Sequence, residues 1–161
     1  MITQASLKDL LRYDPETGLF VWLRKPSKRV RVGALACSAS TDGKYVKVTI
    51  GRVDYRAHRL AWFYMTGEWP TEQIDHLNCL GTDNRFINLR PASARLNQQN
   101  RRKPQKTNKL GVLGVSRHGP SFRAQLKVNG KTCWRETFET LDLARLAYIE
   151  AKRKFHQGCT I

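Results

Sequence analysis

Acidic residues are scarce in this 161-residue chain: 13 Asp and Glu stand against 29 Lys and Arg, for a net charge of +16. An excess that large points to a polyanionic partner, nucleic acid before an anionic membrane surface. Long apolar runs are missing as well. The longest stretch without a charged residue is Val32 to Thr41, whereas a membrane span needs about 18 apolar residues or more. The opening MITQASLKDLL has no basic-then-apolar leader pattern, so the expectation is a cytoplasmic protein with no membrane partner. Cysteine is sparse and scattered, at Cys37, Cys79, Cys133 and Cys159, with no C-x-x-C pair. That excludes a zinc ribbon, which shows closely spaced ligand pairs, and the four read as reduced thiols.

The charge that is present is unevenly spread. Residues 1–54 carry ten basic and five acidic residues, residues 55–101 six and four, and residues 102–161 thirteen and four. Attraction for phosphate is therefore concentrated at the C-terminal end, and the middle is nearly balanced. The first segment opens with the short amphipathic run SLKDLLRY, then the turn DPETG and the strand-like LFVW. Further on, DGKYVKVTIG alternates Tyr45, Lys47 and Thr49 with Val46, Val48 and Ile50, a half-buried strand pattern. AHRLAWFYMTG reads as a helix stopped by Gly67. RRKPQKTNK, Arg101 to Lys109, is a basic linker. In the last segment, FRAQLKV alternates apolar and polar residues, Asn129-Gly130 is a type I′ hairpin signal, and KTCWRETF is the return strand. Thr140 then caps a helix with Ala144, Ala147, Tyr148, Ala151 and Phe155 at helical spacing. The expectation is a sheet with one apolar face under a helix and one cationic face open, a shape that fits a DNA major groove.

Five of the seven asparagines fall between Ile74 and Asn100, behind an Asp-His pair. QIDHL reads as a strand end, FINLR as a second short strand broken by Pro91, and ARLNQQN as a helix after Ser93. Phosphodiester hydrolysis needs a base for water and a cation near the phosphate. Neutral His76 can be that base at pH 7. Asp75 and Asn97 offer oxygen only, which suits Mg²⁺ or Mn²⁺ better than Zn²⁺. Neighbours in a strand point to opposite faces, so Asp75 and His76 converge only if the chain bends, and the loop at Gly81 supplies a place to bend.

The ordered set YRAHRLAWFYMTGEWPTEQIDHLNCLGTDNRFINLRPASARLNQQN resembles the HNH endonucleases of phages and mobile introns. The resemblance implies an α+β chain. Its parts would be an N-terminal β-rich extension (1–54), a ββα-metal nuclease core (55–101), a basic linker (102–109) and a DNA-binding domain (110–161). It implies His76 as general base and Asn88 as the brace of the loop that orients it. Asp75 and Asn97 would bind one divalent ion, with no small-molecule cofactor. Arg59, Arg85 and Arg90 stand at basic positions suited to phosphate. Cys79-Leu80 fills a place where relatives carry Gly and a polar residue. The C-terminal segment resembles the plant ethylene-response (AP-two type) DNA-binding domain, a three-stranded antiparallel sheet packed on one helix. There Arg117, Arg123, Gln125, Lys127 and Arg135 would read duplex DNA, and Trp134 would serve as groove contact or core. Arg101, Arg102 and Lys103 would follow the backbone. The expected protein is a monomer or DNA-assisted dimer in a bacterial host cell that nicks or cuts double-stranded DNA. The alternative is a non-catalytic DNA-binding regulator on a degenerate HNH fold.

Overall fold

Thr3 begins the first helix by accepting a hydrogen bond from the Ser6 N–H, 3.2 Å away. The structure, a computed structural model, describes residues 2–41 and 43–160. Helix α1 (Gln4–Leu10) is shorter than the run SLKDLLRY suggests. Leu11 and Tyr13 alternate with exposed Arg12, so burying both favours an extended strand, β1 (Leu11–Asp14), over another helical turn. β1 pairs antiparallel with β2 (Leu19–Trp22). Between them Asp14 closes the turn, accepting from the Glu16 N–H and the Thr17 hydroxyl, and Gly18 sits at φ +73°.

A second sheet has the order β3 (Cys37–Ala39), β4 (Val46–Ile50), β5 (Val53–Arg56), all antiparallel. It leads directly into α2 (Ala57–Thr66), which Gly67 ends in the left-handed conformation expected of a helix stop. α2 buries Ala57, Leu60, Ala61 and Phe63 against Leu7, Leu11, Phe20, Trp22 and Val48. Trp69 closes this core by stacking on Phe63, with ring centroids 4.3 Å apart.

The next ribbon pairs β6 (Gln73–His76) with β7 (Leu89–Ala92). Here the structure corrects the sequence reading. Phe86–Asn88 form a 3-10 turn, the strand starts at Leu89, and Pro91 lies inside it opposite Ile74. A two-stranded ribbon is all edge, and an edge position does not require the N–H that proline lacks. Helix α3 (Ala94–Gln99) follows.

The chain forms two compact units, Met1–Ser93 and Ala94–Ile161. In the second, the end of α3 and the start of the basic run are stitched to the C-terminal residues. The Gly158 N–H donates to Gln99 Oε1 at 3.0 Å, Arg102 Nη2 donates to the Thr160 carbonyl at 2.9 Å, and Lys152 Nζ donates to the Arg101 carbonyl. β8 (Val115–His118), β9 (Ser121–Val128) and β10 (Lys131–Phe138) form an antiparallel sheet in the order β10-β9-β8. Asn129 and Gly130, at φ +55° and +76°, make the tight turn between β9 and β10. Thr140 caps α4 (Leu141–Phe155), which packs Ala144, Tyr148 and Ala151 on Val115, Ala124 and Leu126. The whole is a mixed α+β chain of small antiparallel sheets and, among the described residues, four helices. No helix among those residues is long and apolar enough to cross a membrane.

Candidate active site

Asp75 and His76 end β6, paired in register with Arg90 and Leu89 of β7. Both are buried, at 6% and 5% exposure, yet they have different partners. Asp75 Oδ2 accepts from Arg90 Nη2 at 2.9 Å and from Nε at 3.2 Å. His76 Nε2 lies 3.2 Å from Asn84 Oδ1. The Asn84 amide is oriented by its own nitrogen, which donates to the Thr82 carbonyl. Its oxygen therefore faces the histidine and can only accept. That arrangement favours a proton on Nε2, which leaves the lone pair of the neutral ring on Nδ1. Burial also pushes the His76 pKa below its ordinary value, partly opposed by the Asn84 bond and by the charges of Asp75 and Asp83. Burial thus biases the imidazole toward its uncharged form, with Nε2 beside the Asn84 oxygen.

Asn84 is held from far away in the sequence. The Tyr13 hydroxyl donates to its carbonyl at 2.6 Å, and the Phe86 N–H donates to the Pro15 carbonyl at 3.0 Å. A side-chain carbon on Gly18 would lie 2.5 Å from the Arg85 nitrogen and the Asn84 carbonyl carbon, so the β1–β2 turn packs directly on the DNR segment. Burial raises the Tyr13 pKa and keeps that hydroxyl a donor. The N-terminal strands thus position the partner of His76.

The loop after His76 is closed by a reciprocal amide pair. Asn88 Oδ1 accepts from the Asn78 N–H at 3.0 Å, and Asn88 Nδ2 donates to Asn78 Oδ1 at 3.0 Å and to the Asp83 carbonyl at 2.8 Å. Arg85 grips both Asp83 oxygens at 2.8 and 2.6 Å, which takes that carboxylate down to about 2. Cys79 adopts φ +62°, the left-handed region that glycine occupies without strain. Leu80 beside it is exposed. Gly81 lies against the Lys44 carbonyl and the Tyr45 ring, where a side-chain carbon would come within 2.4 and 2.8 Å.

Two aromatic neighbours complete the surroundings. The His58 ring lies 5.0 Å from that of His76 at 79°, and Tyr45 lies 5.5 Å from His58 and 6.2 Å from His76. His58 comes from the first turn of α2, and its pKa falls to about 3, first through burial and then through the His76, Arg59 and Arg56 charges.

Residues 55–99 match the family model for HNH endonucleases. The stretch holds α2, β6, the asparagine loop, β7 and α3, and the match supports a nuclease acting on DNA. No curated protein and no solved structure matches the chain.

Among the described residues no three His, Cys, Asp or Glu side chains converge as a metal-binding group. One buried carboxylate suits Mg²⁺, which takes one or two protein carboxylates and completes its shell with water and phosphate oxygens. Asp75 fits that description. Asn97, the other expected ligand, stands on α3 in the second unit.

Three arginines of the HNH segment, Arg59, Arg85 and Arg90, have internal partners. Arg59 donates to the Pro70 and Glu72 carbonyls, Arg85 holds Asp83, and Arg90 holds Asp75. In the second unit, pairing sets Gln125 opposite Arg135, and Arg123 between Ser116 and Thr137. Lys127 and Arg135 are exposed, and Arg123 Nη2 touches His118 Nε2. Arg117 is set apart from these, opposite Phe122 with its guanidinium 5.3 Å from that ring. Trp134 packs against the apolar core of the unit. Arg101 and Lys103 are exposed, and Arg102 bonds Thr160. The sequence reading left Asn84 unassigned and did not place His58 or Tyr45 beside His76. Asn84 looked like a turn residue, and only its place eight positions after His76 hinted at a contact.

Proposed function

We propose that the protein is a metal-dependent DNA endonuclease of phage or homing type that hydrolyses phosphodiester bonds in duplex DNA. The observation that carries this reading is the setting of His76: buried, its pKa lowered by that burial, and its Nε2 3.2 Å from Asn84 Oδ1, inside the segment that matches HNH endonucleases.

His76 Nδ1 takes a proton from water as the water oxygen attacks phosphorus, and the sugar oxygen on the far side leaves. Asn88 holds the 78–83 loop in the shape that keeps Asn84 facing the histidine. Asp75 and Asn97 would hold a Mg²⁺ or Mn²⁺ ion, which supplies charge stabilisation at the phosphoryl and leaving oxygens when bound. Arg90 holds the Asp75 carboxylate in place through Oδ2.

The AP-two-like reading of residues 110–161 assigns recognition to the open sheet face with Arg123, Gln125, Lys127 and Arg135, with Arg117 at its edge. Arg101, Arg102 and Lys103 would track the phosphate backbone, while Arg59, Arg85 and Arg90 would serve phosphate only through the field they add. Tethering the two activities raises the local concentration of the cutting site near bound DNA. Supercoiled plasmid incubated with the purified chain should relax to the nicked form with Mg²⁺ and stay supercoiled with a chelator.

One observation favours a second reading. The Asp75 carboxylate is already engaged by Arg90, as it would be in a DNA-binding regulator that had lost its ion. A gel shift with no cleavage across Mg²⁺, Mn²⁺ and several duplexes would establish that regulator.

A further inference from the structure

His58 has no role in the mechanism above, and its environment is unusual for a packing residue. It is 8% exposed, and among the described residues its Nδ1 is buried with no hydrogen-bond partner. A phenyl or isobutyl group would fill the same space without stranding a polar atom. What the imidazole touches is the catalytic base. Its ring meets that of His76 edge to face, at 5.0 Å and 79°.

His58 is itself immobile. It sits in the first turn of α2, whose Ala57 and Leu60 are fully buried. Its other flank is Tyr45, 5.5 Å away. Tyr45 is clamped in turn, with Arg56 5.0 Å over its ring, Gly81 pressed against its edge, and its N–H donating to Ser40 Oγ at 3.0 Å. His76 is therefore held by a bond from Asn84 and by a fixed wall of rings.

We propose that His58 is a positioning residue: its ring blocks rotation of the His76 imidazole, so that Asn84 keeps the base in the Nε2–H tautomer. A half-turn of the His76 ring would exchange Nε2 with a carbon, break the Asn84 bond and turn Nδ1 away from its working direction. The His58 ring stands edge to face beside the ring that such a turn would move, 5.0 Å away. A ring contact of this type biases an equilibrium by about tenfold. His58 also stays uncharged down to a pH of about 3, so it does not oppose the positive charge His76 acquires on taking a proton. A lysine or arginine at this place would.

The inference rests on His76 as base, and its test can be read without DNA or metal. Side-chain ¹⁵N spectra of the full-length chain report which ring nitrogen of His76 carries hydrogen. The wild type should show one tautomer, Nε2–H. In His58→Ala the His76 signals should move to a mixture of tautomers, nicking should slow about tenfold, and DNA affinity should stay the same. His58→Phe restores a flat ring without nitrogens and should recover the single tautomer and most of the lost rate. If the alanine variant fails to fold, His58→Leu keeps the volume without the flat ring and should show the mixture. Unchanged His76 signals in folded His58→Ala or His58→Leu would overturn the proposal, as would a phenylalanine variant as impaired as alanine. A wild type with the single tautomer but no nicking would remove the nuclease reading and leave this inference standing.

Discussion

Three arginines of the HNH segment and the open face of the C-terminal sheet use their positive charge in opposite ways. In the first set the cations are structural: Arg59 ties two carbonyls, Arg85 closes the Asp83 loop, and Arg90 pairs with a buried carboxylate. In the second, Lys127 and Arg135 stand exposed on a sheet whose other face is packed under α4. Net charge alone treats these residues alike. The lesson is that a basic residue beside a candidate catalytic motif can be spent on holding that motif, while the DNA contacts we propose lie elsewhere.

The contrast can be broken by substitution. Arg90→Ala leaves the Asp75 carboxylate buried without its cation and should destabilise the chain by about 3 kcal/mol, read as a lower denaturation midpoint. Arg135→Ala should leave stability within about 0.5 kcal/mol. If the two lose stability equally, the division of labour is wrong.

A second expected effect follows from His58. Its folded pKa, about 3, lies below the ordinary value near 6.5, so the unfolded chain binds the proton more readily. Its contribution is fully present above about pH 6.5 and is lost progressively as pH falls toward 3. His58→Phe should flatten the stability–pH curve across that window and raise the thermal midpoint at pH 5. A curve identical to wild type would show that His58 is solvated.

Smaller still is the loss of a single phosphate contact. Lys127→Ala or Arg135→Ala should weaken duplex binding and reduce the slope of log K against log salt by about 0.9 each. Arg59→Ala should leave that slope unchanged, since its guanidinium is occupied by backbone. The smallest change concerns Cys79. Glycine there relieves the positive φ and should stabilise the chain by about 0.5 kcal/mol, after the entropy glycine loses on folding.

Local signals in the sequence carried much of the architecture. Gly67 stops α2, Asn129-Gly130 turns the hairpin, Thr140 caps α4, and alternation marks β4 and β9, each a feature of neighbouring residues. What was not legible depends on distant ones. Pro91 reads as a break because the sequence does not reveal that its strand lies on an edge. Asn84 reads as a turn residue because its bond to His76 depends on Tyr13, Pro15 and Gly18, some 70 positions earlier. His58 approaches His76 only after α2 has packed on the N-terminal core. The Asp-His pair signalled chemistry, but the groups that surround the histidine arrive through tertiary structure.

The central claim is that His76 Nδ1 removes the proton from the attacking water. Single-turnover nicking of a bound plasmid with Mg²⁺, measured beside DNA affinity for wild type and His76→Ala, tests it most directly. The account predicts a rate loss of about 10²–10⁴-fold with affinity unchanged; undiminished nicking by His76→Ala would contradict it.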